Sequence, residues 1–398
     1  MGKNEMGRKE NPMQSRFDKV INRRGTGCMK WDVAENELPM WVADMDFQTA
    51  PEITEAIIER AGHGVFGYTL ITEEWYLAYQ NWWKKRHSFE IQRDWLIFCT
   101  GVVPAISSIV RKMTTVGENV AVMTPVYNIF FNSILNNGRN VLESRLIYKD
   151  GVYEIDFADL EGKLAKPQTS MLILCNPHNP VGKIWDKETL AQIGELCRKY
   201  HVLVLSDEIH CDITAPGKEY VPFASVSEAC RENSITCMAP TKAFNLAGIQ
   251  TATVMIPNEN IRHKVNRGLN TDEVAEPNVF AAIAPVAAFG QGEKWLDELR
   301  NYLWGNRKFA EEIIEKEIPG VKAVKGEATY LLWMECRGIP GNRSELCRFI
   351  REDSGLYLSD GREYRNGDGF LRMNLACPKV QVEEGMKRLK QSVAAYEK

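Results

Sequence analysis

An α/β fold is predicted: a mostly parallel sheet of seven strands flanked by helices, followed by a smaller α/β domain. Three observations predict it. Short apolar runs alternate with helix-like segments through the middle of the chain. Several runs are solid rather than alternating, as in Met171-Leu-Ile-Leu-Cys175 and Val202-Leu-Val-Leu205, which suits strands covered on both faces. The pattern then changes after Pro319-Gly320. With 398 residues, 44% of them hydrophobic, the chain can bury a substantial core and divide into domains.

In chain order, residues 1–50 show little periodicity and are expected to pack as a segment with the small domain. A large domain is expected over 51–290 and a small one over 291–398. The predicted strands are Trp95–Thr100, Asn119–Met123, Asn140–Arg145, Met171–Cys175, Val202–Ser206, Ser234–Met238 and Thr251–Met255. Between the fourth and fifth, Asp186 is placed to cap a helix whose Leu190, Ile193, Leu196 and Tyr200 share a face. Strand–helix–strand alternation of this kind makes a parallel sheet with helices on both sides. Gly290–Glu317 reads as one long helix with Leu296, Leu299, Leu303 and Ile313 on a stripe. Short strands follow near Tyr330–Met334 and Phe370–Asn374.

Charge and composition exclude several functions. Lys plus Arg is 49 against 53 for Asp plus Glu, a net charge of −4, so no nucleic-acid partner held by phosphate contacts is expected. The most apolar long stretch, Val279–Phe289, is too short to span a bilayer and contains Pro285. Met1–Val20 is polar, with no signal-type apolar core. Met6 stands where a myristoylation pattern needs Ser or Thr. The 10 cysteines are scattered, form no C-x-x-C pair and read as reduced thiols of a cytoplasmic protein. The 6 histidines show no metal-ligand spacing, so no metal is expected. Neither a Walker loop, a G-x-G-x-x-G turn nor a G-x-S-x-G elbow occurs.

Four features cluster at predicted strand ends, where ligands bind in open α/β sheets. Asn176-Pro-His-Asn-Pro-Val-Gly182 follows one strand and makes a rigid double turn. Ser206-Asp-Glu-Ile-His210 follows the next, with Asp207 just past its apolar run, where a carboxylate needs a cationic partner. Ala239-Pro-Thr-Lys-Ala-Phe-Asn245 follows the third. There Lys242 stands in apolar company, and a desolvated lysine becomes a nucleophile toward aldehydes. Thr100-Gly-Val-Val-Pro104 runs from a strand into a helix start whose N–H groups suit a phosphate. Singly, each feature has an ordinary structural explanation. Together, a lysine, an acid, a ring clamp and an anion cradle describe a site for pyridoxal 5′-phosphate.

These residues resemble the fold-type I pyridoxal-phosphate enzymes, the aspartate aminotransferase superfamily. More narrowly the chain is similar to the cystathionine β-lyase branch of class I/II aminotransferases, the MalY/PatB type. The likeness runs from about Phe17 to the C-terminus. It is carried by Arg24-Gly-Thr, Lys30-Trp31-Asp32, Trp41-Val-Ala-Asp-Met-Asp-Phe47, Gly64-Val-Phe-Gly-Tyr68, Thr124-Pro-Val-Tyr127, the Asn-Pro loop, the Asp207 and Lys242 motifs and Arg372-Met-Asn374.

The resemblance implies roles. Lys242 binds the cofactor aldehyde and later shuttles the proton. Asp207 pairs with the ring nitrogen, Asn179 with the phenolic oxygen, and His210 is a second contact there. Tyr127 stacks on the ring. The backbone of Gly101, Val102 and Val103 and the Thr241 hydroxyl cradle the phosphate. Tyr68 reaches it from the neighbouring subunit of a homodimer. Arg372 clamps the substrate α-carboxylate. Ala239 and Gln250 stand where many relatives carry Ser or Thr and Arg on the phosphate. The implied reaction is elimination of a thiol from Cβ of L-cystathionine or another S-substituted L-cysteine. Transamination by the same site is the alternative. A non-catalytic effector module is a third reading, although the segment before Phe17 is too short for a helix-turn-helix domain.

Overall fold

The computed structural model describes residues 15–396. The readings made on residues 1–14, including the failed myristoylation pattern, lie outside them. The seven expected strands form one sheet. Their spatial order is Leu96–Cys99, Ala252–Met255, Ser234–Met238, Leu203–Asp207, Thr169–Cys175, Asn119–Thr124, Asn140–Arg145. Ala252–Met255 alone runs antiparallel, to both its neighbours. The pairings from Ser234–Met238 across to Asn140–Arg145 are parallel. Asp207 is the last residue of its strand, in register with Cys175 on one side and Cys237 on the other, rather than just past it.

The solid apolar runs are explained by burial on both faces. Met171, Leu172, Ile173 and Leu174 are all buried, with Ile173 packed into one core cluster and Leu172 into another across the sheet. Helix Val102–Met113 covers one face with Val102, Ala105, Ile106, Ile109 and Val110. Helix Lys187–Lys199 covers the other, and the Asp186 side chain accepts from the Thr189 N–H as an N-cap.

The long helix differs from expectation. Gly290 and Gln291 close the preceding helix, Val279–Gln291, and the second helix runs Glu293–Glu317. The break falls at Gly292, a position closed to larger residues because a Cβ there would meet the Phe244 ring at 2.5 Å and the Ala288 carbonyl at 2.6 Å. Phe244, two residues after Lys242, thus packs at the junction of the two helices.

A second sheet, Lys322–Ala323, Leu331–Glu335, Phe370–Asn374, Ser359–Asp360, is antiparallel throughout. The N-terminal segment divides its contacts. Leu38–Pro39 pairs in parallel with Leu356–Tyr357, while Phe17 and Phe47 pack edge-on to each other and join a core with Trp75, Trp82 and Trp295. Segment 40–47 therefore crosses from one sheet's neighbourhood to the other's. All 10 cysteines are free, and among the described residues no helix is long and apolar enough to cross a membrane.

Candidate active site

The strand ends open into a cavity of about 270 Å³. Gly101, Val102, Val103, Tyr127, Asn179, Asp207, His210, Thr241 and Lys242 all line it. Of the expected site residues, Arg372 and Tyr68 do not line it, for different reasons. Arg372 lies on strand Phe370–Asn374 and donates to the Asn179 carbonyl oxygen at 3.3 Å. Tyr68 is fully exposed on a stretch without regular structure.

Lys242 is only partly buried, because its side chain looks into the cavity. Its Nζ donates to the Ala43 carbonyl at 2.5 Å, and no carboxylate among the described residues forms an ion pair with it. The surrounding protein disfavours the charged amine, and the Arg372 guanidinium adds to this. The pKa falls to about 8, with Asp44 and Asp207 resisting the shift. Asp207 is buried, and burial pushes its pKa up to about 7. Its carboxylate accepts from the Ile209 N–H at 3.1 Å, and the Lys242 charge pulls the other way. The His210 imidazole is driven down to about 3 by burial and by the charges of Lys242 and Arg372. It is therefore neutral, and its Nδ1 has no hydrogen-bond partner. Tyr127 packs edge-on to Phe130, and burial raises its phenol to about 12.

Arg372 is 5% exposed yet forms no ion pair among the described residues. Besides Asn179 it donates to the Trp41 carbonyl at 2.9 Å and the Ser359 hydroxyl at 3.4 Å, and its Nε has no partner. A buried guanidinium held by neutral acceptors is costly unless a carboxylate joins it.

At the other end of the cavity, Gly101 caps the helix start. Its backbone is extended, and a Cβ there would meet the Pro104 ring at 3.1 Å, so the approach to the helix N–H groups stays open. Such a terminus suits an anion. The site thus fits a phosphorylated aldehyde with a protonatable ring: an amine poised to lose its proton, a buried acid, and uncommitted N–H groups.

Sequence reasoning could not place the residues between Trp31 and Phe47, nor Tyr330. The structure brings the Ala43 carbonyl between the Lys242 amine and the Tyr330 hydroxyl, which donates to it at 2.9 Å. Two side-chain amides, of partly buried Asn245 and buried Asn374, hold this segment. Asn245 accepts from the Met45 N–H and donates to the Met45 and Phe47 carbonyls. Asn374 donates to the Val42 and Asp44 carbonyls. Both asparagines stand in quoted motifs, close in sequence to Lys242 and Arg372, and that closeness was the available signal. Cys175, Gln250 and Thr251 also line the cavity; Gln250 reaches it from a left-handed backbone with φ +58°. Ala239 is buried and stays off the cavity wall.

Comparison with known proteins agrees with this geometry. The family model for aminotransferase class I and II matches residues 35–389. The chain is 40% identical over 385 residues to cystathionine β-lyase PatB of Bacillus subtilis, covering 95% of this chain and 100% of PatB. It is 32% identical to protein MalY of Escherichia coli, over 95% of this chain and 99% of MalY. Among solved structures, cystalysin from Treponema denticola, which contains a pyridoxal 5′-phosphate cofactor, superposes with a TM-score of 0.93. That alignment shows 33% identity and covers 96% of this chain and all of cystalysin. The chain therefore belongs to the class I and II aminotransferase family, on the branch that includes PatB and MalY.

Proposed function

We propose that the protein is a pyridoxal 5′-phosphate-dependent carbon–sulfur β-lyase. It takes L-cystathionine or a related S-substituted L-cysteine, adds water and releases a thiol, pyruvate and ammonia. One observation carries the reading: a lysine of pKa about 8 and a buried acid of pKa about 7 line one cavity, and Asn179 in its wall accepts from a buried guanidinium that has no ion partner among the described residues. The full-length likeness to a cystathionine β-lyase selects this reaction among those the family performs.

When bound, the cofactor supplies an aldehyde and an electron-accepting ring. Lys242 is the residue for both covalent attachment and proton transfer. At a pKa of about 8 roughly a tenth of its amine is neutral at pH 7, and that fraction serves as nucleophile and then as general base at Cα. The Ala43 carbonyl orients that amine. Asp207 supplies the negative charge that keeps a ring nitrogen protonated, and a cation beside it brings its pKa back down. Asn179 offers its amide N–H to the phenolic oxygen while its carbonyl holds Arg372. His210, being neutral, is a hydrogen-bonding group rather than a proton carrier. Tyr127 covers the ring face. The N–H groups of Gly101, Val102 and Val103 and the Thr241 hydroxyl hold the phosphate, and Arg372 takes the α-carboxylate in its planar fork.

Residues 51–290 in this reading carry the cofactor, and residues 291–398 carry the carboxylate-binding arginine. The active form is a homodimer. Tyr68 is flanked by Val65, Phe66 and Leu70, all exposed, and an exposed apolar run of this kind marks a contact surface. Across that contact the partner's Tyr68 completes the phosphate site. The free cysteines suit a reducing cytoplasm.

The test is incubation of pure protein with L-cystathionine and no 2-oxo acid. Pyruvate released over many turnovers is expected. Conversion that stops after one equivalent per site would instead make the protein an aminotransferase. No product with any amino acid would leave it a binding module.

A further inference from the structure

A second cavity, of about 340 Å³, has His87, Cys211 and Asp212 in its wall. None of the three takes part in the reaction proposed above. His87 is the last residue of helix Glu73–His87, and Cys211 and Asp212 directly follow His210. One donor atom from each lies within 4.8 Å of the others. His87 Nε2 is 3.1 Å from Asp212 Oδ1, and Cys211 Sγ is 3.7 Å from Asp212 Oδ2. Around a tetrahedral zinc ion, bond lengths of about 2.0 Å to N or O and about 2.3 Å to S place neighbouring donors roughly 3.3–3.5 Å apart. The Asp212 oxygens nearest His87 and Cys211 differ, so with one oxygen as ligand the three donors lie within 4.8 Å of one another, and edges longer than about 3.5 Å close with movements of about 1.3 Å at most.

The surroundings are those of a ligand set. The Trp82 indole donates to both Asp212 oxygens at 3.1 Å, which fixes the carboxylate as outer partners fix metal ligands. Lys85, Arg86, Lys218 and Arg300 line the same cavity; Lys85 pairs with Glu293, Arg86 and Arg300 with Asp297 at 2.9 and 3.3 Å, and Lys218 with Glu327 at 2.7 Å, while the Arg86 charge also reaches Asp212. Thiol, imidazole and carboxylate together select zinc-class ions over magnesium or calcium.

We propose that His87, Cys211 and Asp212 bind one zinc-class divalent cation, with the fourth position open to the cavity. Binding forms a sulfur–metal bond and releases the Cys211 proton to solvent; no oxidant or reductant is involved.

Holoenzyme is incubated with zinc sulfate or, separately, cobalt(II) chloride, desalted, and analysed for retained metal. One zinc per chain is expected. Cobalt should give the intense visible bands of a four-coordinate thiolate site, at wavelengths longer than the cofactor's absorption. Cys211→Ser and His87→Gln should lose both signals, and Cys28→Ser, at a more exposed thiol, should keep them. Lys242→Ala should also keep them, which separates this site from the proposed reaction. Retention of no metal, or a weak octahedral cobalt spectrum in the unaltered protein, overturns the proposal without any variant. Equal retention by Cys211→Ser, or by Cys211→Ala if the serine variant melts early, overturns it too.

Discussion

Two lysines approach segment 40–47 and meet opposite conditions. Lys30 is 1% exposed and pairs with Asp46 at 2.7 Å, on a carboxylate that also accepts from Arg23 and the Trp31 indole. Lys242, on the cavity side, has one carbonyl. The same contrast separates two adjacent acids. Glu208 accepts from the Ser206 hydroxyl, the Phe223 N–H and the Tyr220 hydroxyl, whereas Asp207 accepts from one backbone N–H. It recurs in two buried arginines. Arg307 has Glu311 at 2.8 Å and two carbonyls, whereas Arg372 has neutral acceptors and an unpartnered Nε. In these three pairs the scaffold member is saturated, and the member at or beside the cavity is held short of partners. Since unsatisfied buried groups are costly, the shortfall at Lys242, Asp207 and Arg372 is what a bound cofactor and substrate would make good in the proposed reading.

The lysine pair gives the largest test. Lys242→Ala should lower pyruvate release by about 10³-fold or more, since nucleophile and base vanish together, and should abolish the visible absorption of lysine-bound cofactor. Lys30→Met should leave kcat within a few-fold but cost about 3–5 kcal/mol in a denaturant melt, because Asp46 is left buried with less counter-charge. A Lys30 variant that folds normally yet loses activity like the Lys242 variant would break the contrast.

The acids come next. Asp207→Asn should cost about 10²-fold in kcat, the usual effect of removing one electrostatic stabiliser. Glu208→Gln should act on stability, by about 1–3 kcal/mol. Their pH dependence has a definite sign. Burial raises Asp207 from its ordinary value to about 7 in the protein without cofactor. The stability contributed by the protonated acid is intact below about pH 4 and lost as pH rises toward 7. Apoprotein Tm should therefore fall across that window. Asp207→Asn should flatten the fall, and so should bound cofactor, whose ring cation restores the acid's partner. Glu208, also raised to about 7, leaves a residual slope in both forms. Equal slopes for apoprotein, holoprotein and the Asn variant would refute the assignment of Asp207.

The arginines sharpen the comparison at substrate level. Arg372→Lys should raise KM for L-cystathionine by about 10–100-fold with a smaller change in cofactor affinity, because the planar fork is lost while the charge stays. Arg307→Met should lower Tm and spare KM.

How much of this was legible follows from what each residue needs. Met171–Cys175 was visible because a strand buried on both faces must be apolar throughout. Asp207 and Lys242 were visible because each breaks an apolar run at its end. The helix break at Gly292 was hidden: an interior glycine costs only about 1 kcal/mol, and the apolar stripe continues past it. What requires the glycine is the Phe244 ring, far away in sequence. The Ala43 carbonyl was hidden because backbone carries no signature, and its contact with Lys242 spans 199 positions. His87 and Asp212 were hidden for the same reason, lying 125 positions apart.

The smallest effect concerns the phosphate end. Among the described residues Lys242 is the only cation in the cavity wall, so in the proposed reading the phosphate is left to helix N–H groups and hydroxyls, which favour an anion without a full charge. Gln250 lines the cavity from a left-handed backbone and brings no charge to it. Gln250→Arg should tighten cofactor binding by roughly tenfold, the worth of about 1.4 kcal/mol, and make it more sensitive to salt. Gln250→Glu should weaken it by a similar factor. Titration of apoprotein with pyridoxal 5′-phosphate at two ionic strengths measures both. If neither charge moves the affinity, the phosphate does not sit between Gly101 and Gln250. The contrast drawn from Lys30 and Lys242 would survive that result, because the amine and the acid are fixed by their own contacts, but the cofactor's orientation between them would have to be reversed.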